Sequence, residues 1–215
     1  MLSLDTSLTF FAASVMLALV PGPDNVFVLL HSAAHGWRAG LLVVLGLCTG
    51  LLFHTAAVAL GLAALMATSP IAFTALTLLG ACYLLWLAWL SWNAPIHKAP
   101  APDAIENTKP VSVWSPRQTY TRGVWMNITN PKVAIFFLAF LPPFVDAPQG
   151  AVGVQILLLG GVFMVATLLT FGSIALFAGR FGQVFQSSTI AQRRLNRIAS
   201  LVFVGLALRL LVTTL

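Results

Sequence analysis

The chain has 215 residues, of which 59% are hydrophobic and only 7% charged, with a formal net charge of +6. A soluble domain carries about 25% charged residues, so this composition cannot cover a soluble surface. It excludes a soluble enzyme, a disordered protein and a coiled coil, and it points to an integral membrane protein. The basic residues sit between apolar runs, as charges that orient helices in a bilayer do, so no nucleic-acid partner is expected.

In chain order, six apolar stretches are long enough to cross a bilayer: 8–30 (running on toward His35), 41–66, 70–92, 124–145, 151–178 and 198–215. They lack the apolar–polar alternation of barrel strands. The first charge is Asp5 and the first basic residue Arg38, unlike a cleaved signal peptide, which opens with positive charge. The first span is therefore expected to be retained.

The loops alternate in charge. Arg38 follows span 1. Lys98, Lys109, Arg117 and Arg122 lie between spans 3 and 4, and Arg180, Arg193, Arg194 and Arg197 between spans 5 and 6. The intervening loops and the N-terminal tail carry no Lys or Arg. Basic loops face the cytoplasm, which predicts both termini outside.

Residues 93–123 form the one long polar linker, with Pro95, Pro100, Pro102, Pro110 and Pro116, and are expected to be irregular and cytoplasmic. The linker separates residues 1–92 from 124–215, three spans from three. An odd number of crossings makes the second half enter from the opposite side. The predicted fold is an all-α integral membrane protein with six transmembrane helices in a 3+3 inverted repeat, an architecture common among transporters.

Spans 1 and 4 contain what apolar spans should not. Pro21, Gly22, Pro23, Asp24 and Asn25 interrupt the first, because proline removes backbone donors and crowds the preceding turn. Freed backbone groups in hydrocarbon cost several kcal/mol each unless protein or water satisfies them, so the break implies a polar cavity around Asp24. The competing reading places the break at the cytoplasmic end of span 1, with Asp24 capping a short helix.

Span 4 opens with Asn127, Ile128, Thr129, Asn130, Pro131 and Lys132. Lys132 could snorkel to the cytoplasmic face, but it lies roughly eight residues, or about 12 Å, into the span. Laying Pro23-Asp24 over Pro131-Lys132 puts an acid and a base at equivalent places in opposed halves. Broken helices at matched positions point to a midplane binding site, and intramembrane charges are functional candidates. Arg209, near the end of span 6, is expected at the outer interface.

His31 and His35 share a helix face. A metal site with His54 as a third ligand is one reading and a plain interfacial position beside Gly36 the other. His54 itself is a candidate for a polar or proton contact. The Gly36–Gly40 and Gly46–Gly50 pairs have the spacing of close helix packing, which Gly50, Ala57 and Gly61 continue. Cys48 and Cys82 lie in apolar segments and read as buried packing residues rather than a disulfide.

Three blocks together resemble the LysE/RhtB superfamily of amino-acid exporters. The first is Pro21 to Asn25 followed by Gly36, Gly40, Gly46 and Gly50. The second runs from Leu79 to Trp86. The third comprises Gly123, Asn127, Asn130-Pro131-Lys132, Phe136-Phe137 and Phe140 to Phe144. Ala88 and Ala207 stand where the family places glycines. The resemblance implies a transporter of the homoserine, threonine and leucine exporter type in a bacterial cytoplasmic membrane, exporting amino acids or related zwitterions by proton antiport. It implies no enzyme activity and no cofactor. The absence of a phosphate-binding loop argues separately against built-in ATP hydrolysis.

On this reading the partners are an amino-acid-like substrate, protons and the lipid bilayer, and the glycine motifs allow a homodimer. Asp24 would meet the substrate ammonium or take the proton. Lys132, with Asn130 and Asn127, would meet the carboxylate, with Asn25 and His54 nearby. Pro21, Gly22, Pro23 and Pro131 make the breaks. The rival classes are an intramembrane enzyme using Asp24, His31, His35 and His54, and a passive channel for small solutes.

Overall fold

The computed structural model describes residues 2–20, 22–68, 70–94, 114–146, 148, 150–187 and 189–214. Pro21, and with it one residue of the first expected break, lies outside the described residues, as do Lys98, Lys109 and the linker prolines at 95, 100, 102 and 110.

Every regular element among the described residues is helical: α1 (Leu4–Leu19), α2 (Pro23–His35), α3 (Trp37–Thr68), α4 (Pro70–Trp92), α5 (Pro116–Ile128), α6 (Pro131–Ile135), α7 (Val152–Ser187) and α8 (Thr189–Thr214). Between α6 and α7 come a π-helical turn, Phe136–Phe140, and a 3₁₀ turn, Pro142–Phe144. Helices α3, α4, α7 and α8 each hold an apolar stretch long enough to cross a membrane, and α1 with α2 make a further candidate bent by 65°. Exposed Leu, Val, Ile, Phe and Trp side chains cover the long helices, a surface suited to lipid rather than water.

Helix starts follow local chemistry. Ser3 caps α1 by accepting from the Thr6 amide. At α5 the boundary differs from expectation, because the helix begins at Pro116, inside the stretch read as irregular. Ser115 and Gln118 form a reciprocal capping box, and proline occupies the first helical position. Helices α7 and α8 likewise run beyond the apolar stretches at 151–178 and 198–215. Apolar length sets where a helix can be buried, not where it must stop.

The π turn is marked by the Leu141 amide donating to the Phe136 carbonyl at 3.3 Å. Pro142 follows directly, and its ring crowds the carbonyl four residues back, which favours the wider turn.

Helix α3 packs on α5 and α7, α4 on α8, and α7 also on α1 and α2. The α3–α5 crossing is very close. A Cβ on Gly46 would strike the Tyr120 carbonyl and lie 2.9 Å from the Val124 nitrogen, and one on Gly123 would strike the Val43 carbonyl. Gly40 meets Ser32 and Ala175, and Gly50 meets Asn127, while Gly61 has nothing within 4 Å. Among the described residues the small-residue stripe packs tightly in the first half of α3, at Gly40, Gly46 and Gly50, and not at Gly61. Ala88 and Ala207 are buried and do not prevent the α4–α8 contact. Cys48 is half-buried, but Cys82 is exposed on the outer face of α4, contrary to the expectation that both are buried; both are free thiols.

Two apolar clusters flank the middle of the bundle. One is built on Phe10, Phe136, Phe137, Phe140, Phe144 and Phe163. Phe10 stacks on Phe140 at 6.0 Å and meets Phe144 edge-on at 5.2 Å. The other gathers Ala18, Val28, Val43, Val44, Leu47, Phe171 and Ala175. The polar residues of the two helix breaks lie between them.

Candidate functional site

Both breaks are built alike. Gly22 caps α2 with Pro23 as its first residue, and Asn130 caps α6 with Pro131 as its first residue. The first helical hydrogen bond has the same form in each, Val26 N to Gly22 O at 3.2 Å and Ala134 N to Asn130 O at 3.1 Å. Proline suits the first helical position because its missing N–H would have had no intrahelical partner.

A helix that stops inside the bundle leaves carbonyls without partners. Side chains take those at the end of α1. Lys132 donates from Nζ to the carbonyls of Leu17 and Val20, each at 3.2 Å. Asn25 donates from Nδ2 to the carbonyl of Ala18 at 2.6 Å. The last turn of a helix carries partial negative charge, so an ammonium there is stabilised. Lys132 belongs to the second half of the chain yet caps the broken helix of the first.

Asp24 occupies the first turn of α2, where the helix dipole favours a carboxylate. It is 2% exposed. Asn130 donates from Nδ2 to Asp24 Oδ2 at 2.7 Å, while its own Oδ1 accepts from the Lys132 amide at 3.0 Å. One side chain thus caps α6 and tethers α2. The structure brings Asp24, Asn25, Asn130 and Lys132 into one network, with each charge at the helix end whose dipole it complements.

The second break has its own donor. His54, on α3, places Nε2 3.2 Å from the carbonyl of Asn127, which requires the proton on Nε2. Its ring lies 5.8 Å from that of Phe137, so it joins the polar layer to the phenylalanine cluster. Asn127 is 2% exposed and packs against Gly50. Gly22 is the matching close approach at the first break, since a Cβ there would lie 3.2 Å from Lys132 Nζ.

Three buried oxygens in this layer accept nothing: Asp24 Oδ1, Asn25 Oδ1 and Asn127 Oδ1. Buried polar atoms are nearly always paired, and an unpaired carboxylate oxygen is costly. A proton at the carboxylate, or an ammonium near it, would satisfy Asp24 Oδ1, and Lys132 has one donor left after its two carbonyls.

His31 and His35 lie elsewhere. Their ring centroids are 4.5 Å apart. His31 stacks on Phe27 at 5.4 Å and on Trp114 at 5.4 Å, and the Arg122 guanidinium sits 4.3 Å over the Trp114 ring. This stack clasps α2 to the start of α5. It escaped sequence reading because Trp114 stands in a polar, proline-rich stretch; only the spacing of Phe27 and His31 on one helix face hinted at it. Among the described residues no group of three His, Cys, Asp or Glu is placed to hold a metal ion. Arg209 lies 5.3 Å over the Phe144 ring, at the opposite end of the bundle from the stack.

A family model described as LysE type translocator matches residues 15–214. A leucine efflux protein of Klebsiella pneumoniae is 31% identical over 94% of this chain and 93% of its own. A homoserine/homoserine lactone efflux protein of Salmonella typhi is 32% identical over 80% of this chain and 79% of its own. A membrane protein of Vibrio cholerae without an assigned activity is 31% identical over 92% of both chains. No solved structure matches the chain.

Proposed function

The chain belongs to the LysE type translocator family, and we propose that it exports amino acids or closely related zwitterions across the cytoplasmic membrane of a bacterium by proton antiport. The relatives named for leucine and homoserine efflux support the substrate class and the outward direction. One observation carries the site: oxygens of Asp24, Asn25 and Asn127 are buried without partners at the two helix breaks, and the Lys132 ammonium caps the end of α1 at the first of them. A substrate ammonium would bind Asp24 Oδ1, helped by the two amide oxygens. The carboxylate would take the remaining Lys132 donor. Asp24 would hold the coupling proton when no ammonium is present.

Six spans arranged as a 3+3 inverted repeat fit the contacts. The proposed repeats are residues 1–92 and 124–215, with 93–123 between them. Exchanging the halves maps α3–α5 onto α7–α1, and leaves α3–α7 and α4–α8 unchanged; all of these contacts occur. The contacts of α2 with α3, of α1 with α8, and of α4 with the π turn do not follow the exchange. The chain from α1 to α2 begins beside Phe144 and ends beside Trp114, and the chain from α5 to the 3₁₀ turn runs the other way. Each would then cross once. The phenylalanine cluster would close the outer route and the Trp114 stack the cytoplasmic one, with the π turn as the hinge of the outer gate.

The deciding experiment is counterflow in proteoliposomes with a panel of neutral amino acids. Saturable exchange stimulated by internal substrate is expected, together with proton movement reported by an entrapped pH dye. Exchange without saturation would indicate a passive channel, and no exchange across the panel would remove amino acids as substrates.

A further inference from the structure

Trp92 closes α4, and Arg193, Asn196 and Arg197 lie near the start of α8. These four residues and Ala94 line a cavity of about 130 Å³, many times the ~10–15 Å³ that admits one water. Positions 193, 196 and 197 are three and four apart, so they share a helix face. Arg197 places its guanidinium 5.5 Å over the Trp92 ring. Asn196 is only 7% exposed, although it is polar and lines the cavity.

The depth of the cavity is set by its neighbours. The candidate membrane span of α4 ends at Trp92 and that of α8 begins at Gln192. Trp86, Trp89 and Trp92 are exposed along the same end of α4, and tryptophan concentrates at the membrane–water interface. The cavity therefore opens at the level of lipid headgroups. The acidic residues among those described are placed elsewhere: Asp5 starts α1, Asp24 is in the polar layer, and Asp146 follows the 3₁₀ turn near the opposite end.

We propose that this cavity binds the phosphodiester headgroup of an anionic phospholipid. Two guanidiniums present planar donor pairs that match phosphate oxygens, and the Asn196 amide supplies a further donor toward the glycerol. Basic pockets between transmembrane helices at the interface suit such headgroups. The lipid would bridge α4 and α8, a helix pair distant in sequence. The site stands apart from the polar layer and does not depend on what is transported.

The test is thermal melting of the purified protein in detergent supplemented with phosphatidylglycerol, phosphatidylcholine or inorganic phosphate. Phosphatidylglycerol should raise Tm by at least about 3 °C, and the other two should not. Arg193→Gln with Arg197→Gln should abolish the rise while melting normally in phosphatidylcholine. Arg194→Gln, one position off the cavity, should retain it. Native mass spectrometry should find phosphatidylglycerol retained by the parent protein and lost from the double variant. An equal rise with phosphatidylcholine, a full rise with inorganic phosphate, an undiminished rise in the double variant, or an equal loss in Arg194→Gln would each overturn the proposal. The phosphate result would assign the cavity to a free anion instead.

Discussion

Lys132 holds the end of a helix more than a hundred residues away, with Nζ 3.2 Å from the Val20 carbonyl and at the same distance from that of Leu17. Replacing it with methionine keeps most of the side-chain volume but strips two carbonyls of their donor. Each stranded carbonyl costs about 1–3 kcal/mol. Lys132→Met should therefore melt well below the parent protein in detergent, and Lys132→Arg should recover part of the loss. Because Asp24 is bonded by Asn130 rather than held by Lys132 alone, adding Asp24→Asn to Lys132→Met should not restore stability. A double variant more stable than Lys132→Met would show that Lys132 compensates the buried Asp24 charge as well as capping α1.

Asp24 separates function from folding in the opposite sense. In Asp24→Asn the new amide oxygen can still accept from Asn130 Nδ2, so the 2.7 Å link survives. Melting should change little, while counterflow should fall to the vesicle background, because the charge proposed to meet an ammonium or a proton is gone. Asp24→Ala leaves Asn130 Nδ2 without its partner, and a further loss of about 1–3 kcal/mol is expected. Near-normal transport by Asp24→Asn would remove Asp24 from the site.

The glycines of α3 and α5 give a stability contrast. At Gly46 an added methyl meets backbone atoms of Tyr120, Gly123 and Val124. Backbone cannot rotate away, so Gly46→Ala forces the helices apart, at a cost of about 1–3 kcal/mol. Gly61→Ala has open space around it and should gain up to about 1 kcal/mol of helix propensity. Melting curves of the two variants should move in opposite directions.

Much of this fold was legible in the sequence, and the reason is physical. Long apolar runs and paired prolines act locally, so α4 and both break points fall where composition puts them. The start of α5 was also written locally, in the Ser115-to-Gln118 spacing, but the polar character of its surroundings hid it. The partners inside the site were not legible. Asn130 meets Asp24 across 106 residues, and His54 meets Asn127 across 73. Neither pair has a spacing that a single sequence reveals. Lys132 was legible as a charge in the wrong place, but its partners are backbone carbonyls, which leave no mark on the side-chain pattern. The π turn has only Pro142-Pro143 as its signature.

The last prediction concerns orientation. The structure gathers Arg38, Arg117, Arg122, Arg193 and Arg197 toward the end where α2 meets α5 and α4 meets α8, and cation–π contacts pin Arg38 to Trp37, Arg122 to Trp114 and Arg197 to Trp92. The start of α1 and the last turns of α8 lie toward the other end, beside Phe144. If the basic end faces the cytoplasm, alkaline phosphatase joined after Leu215 should be exported and active, whereas a fusion after Asn93 should be silent. Green fluorescent protein at the same two points should give the reverse pattern. An active phosphatase after Asn93 would invert the orientation, place the Trp114 stack outside and require the phenylalanine cluster to be the inner gate.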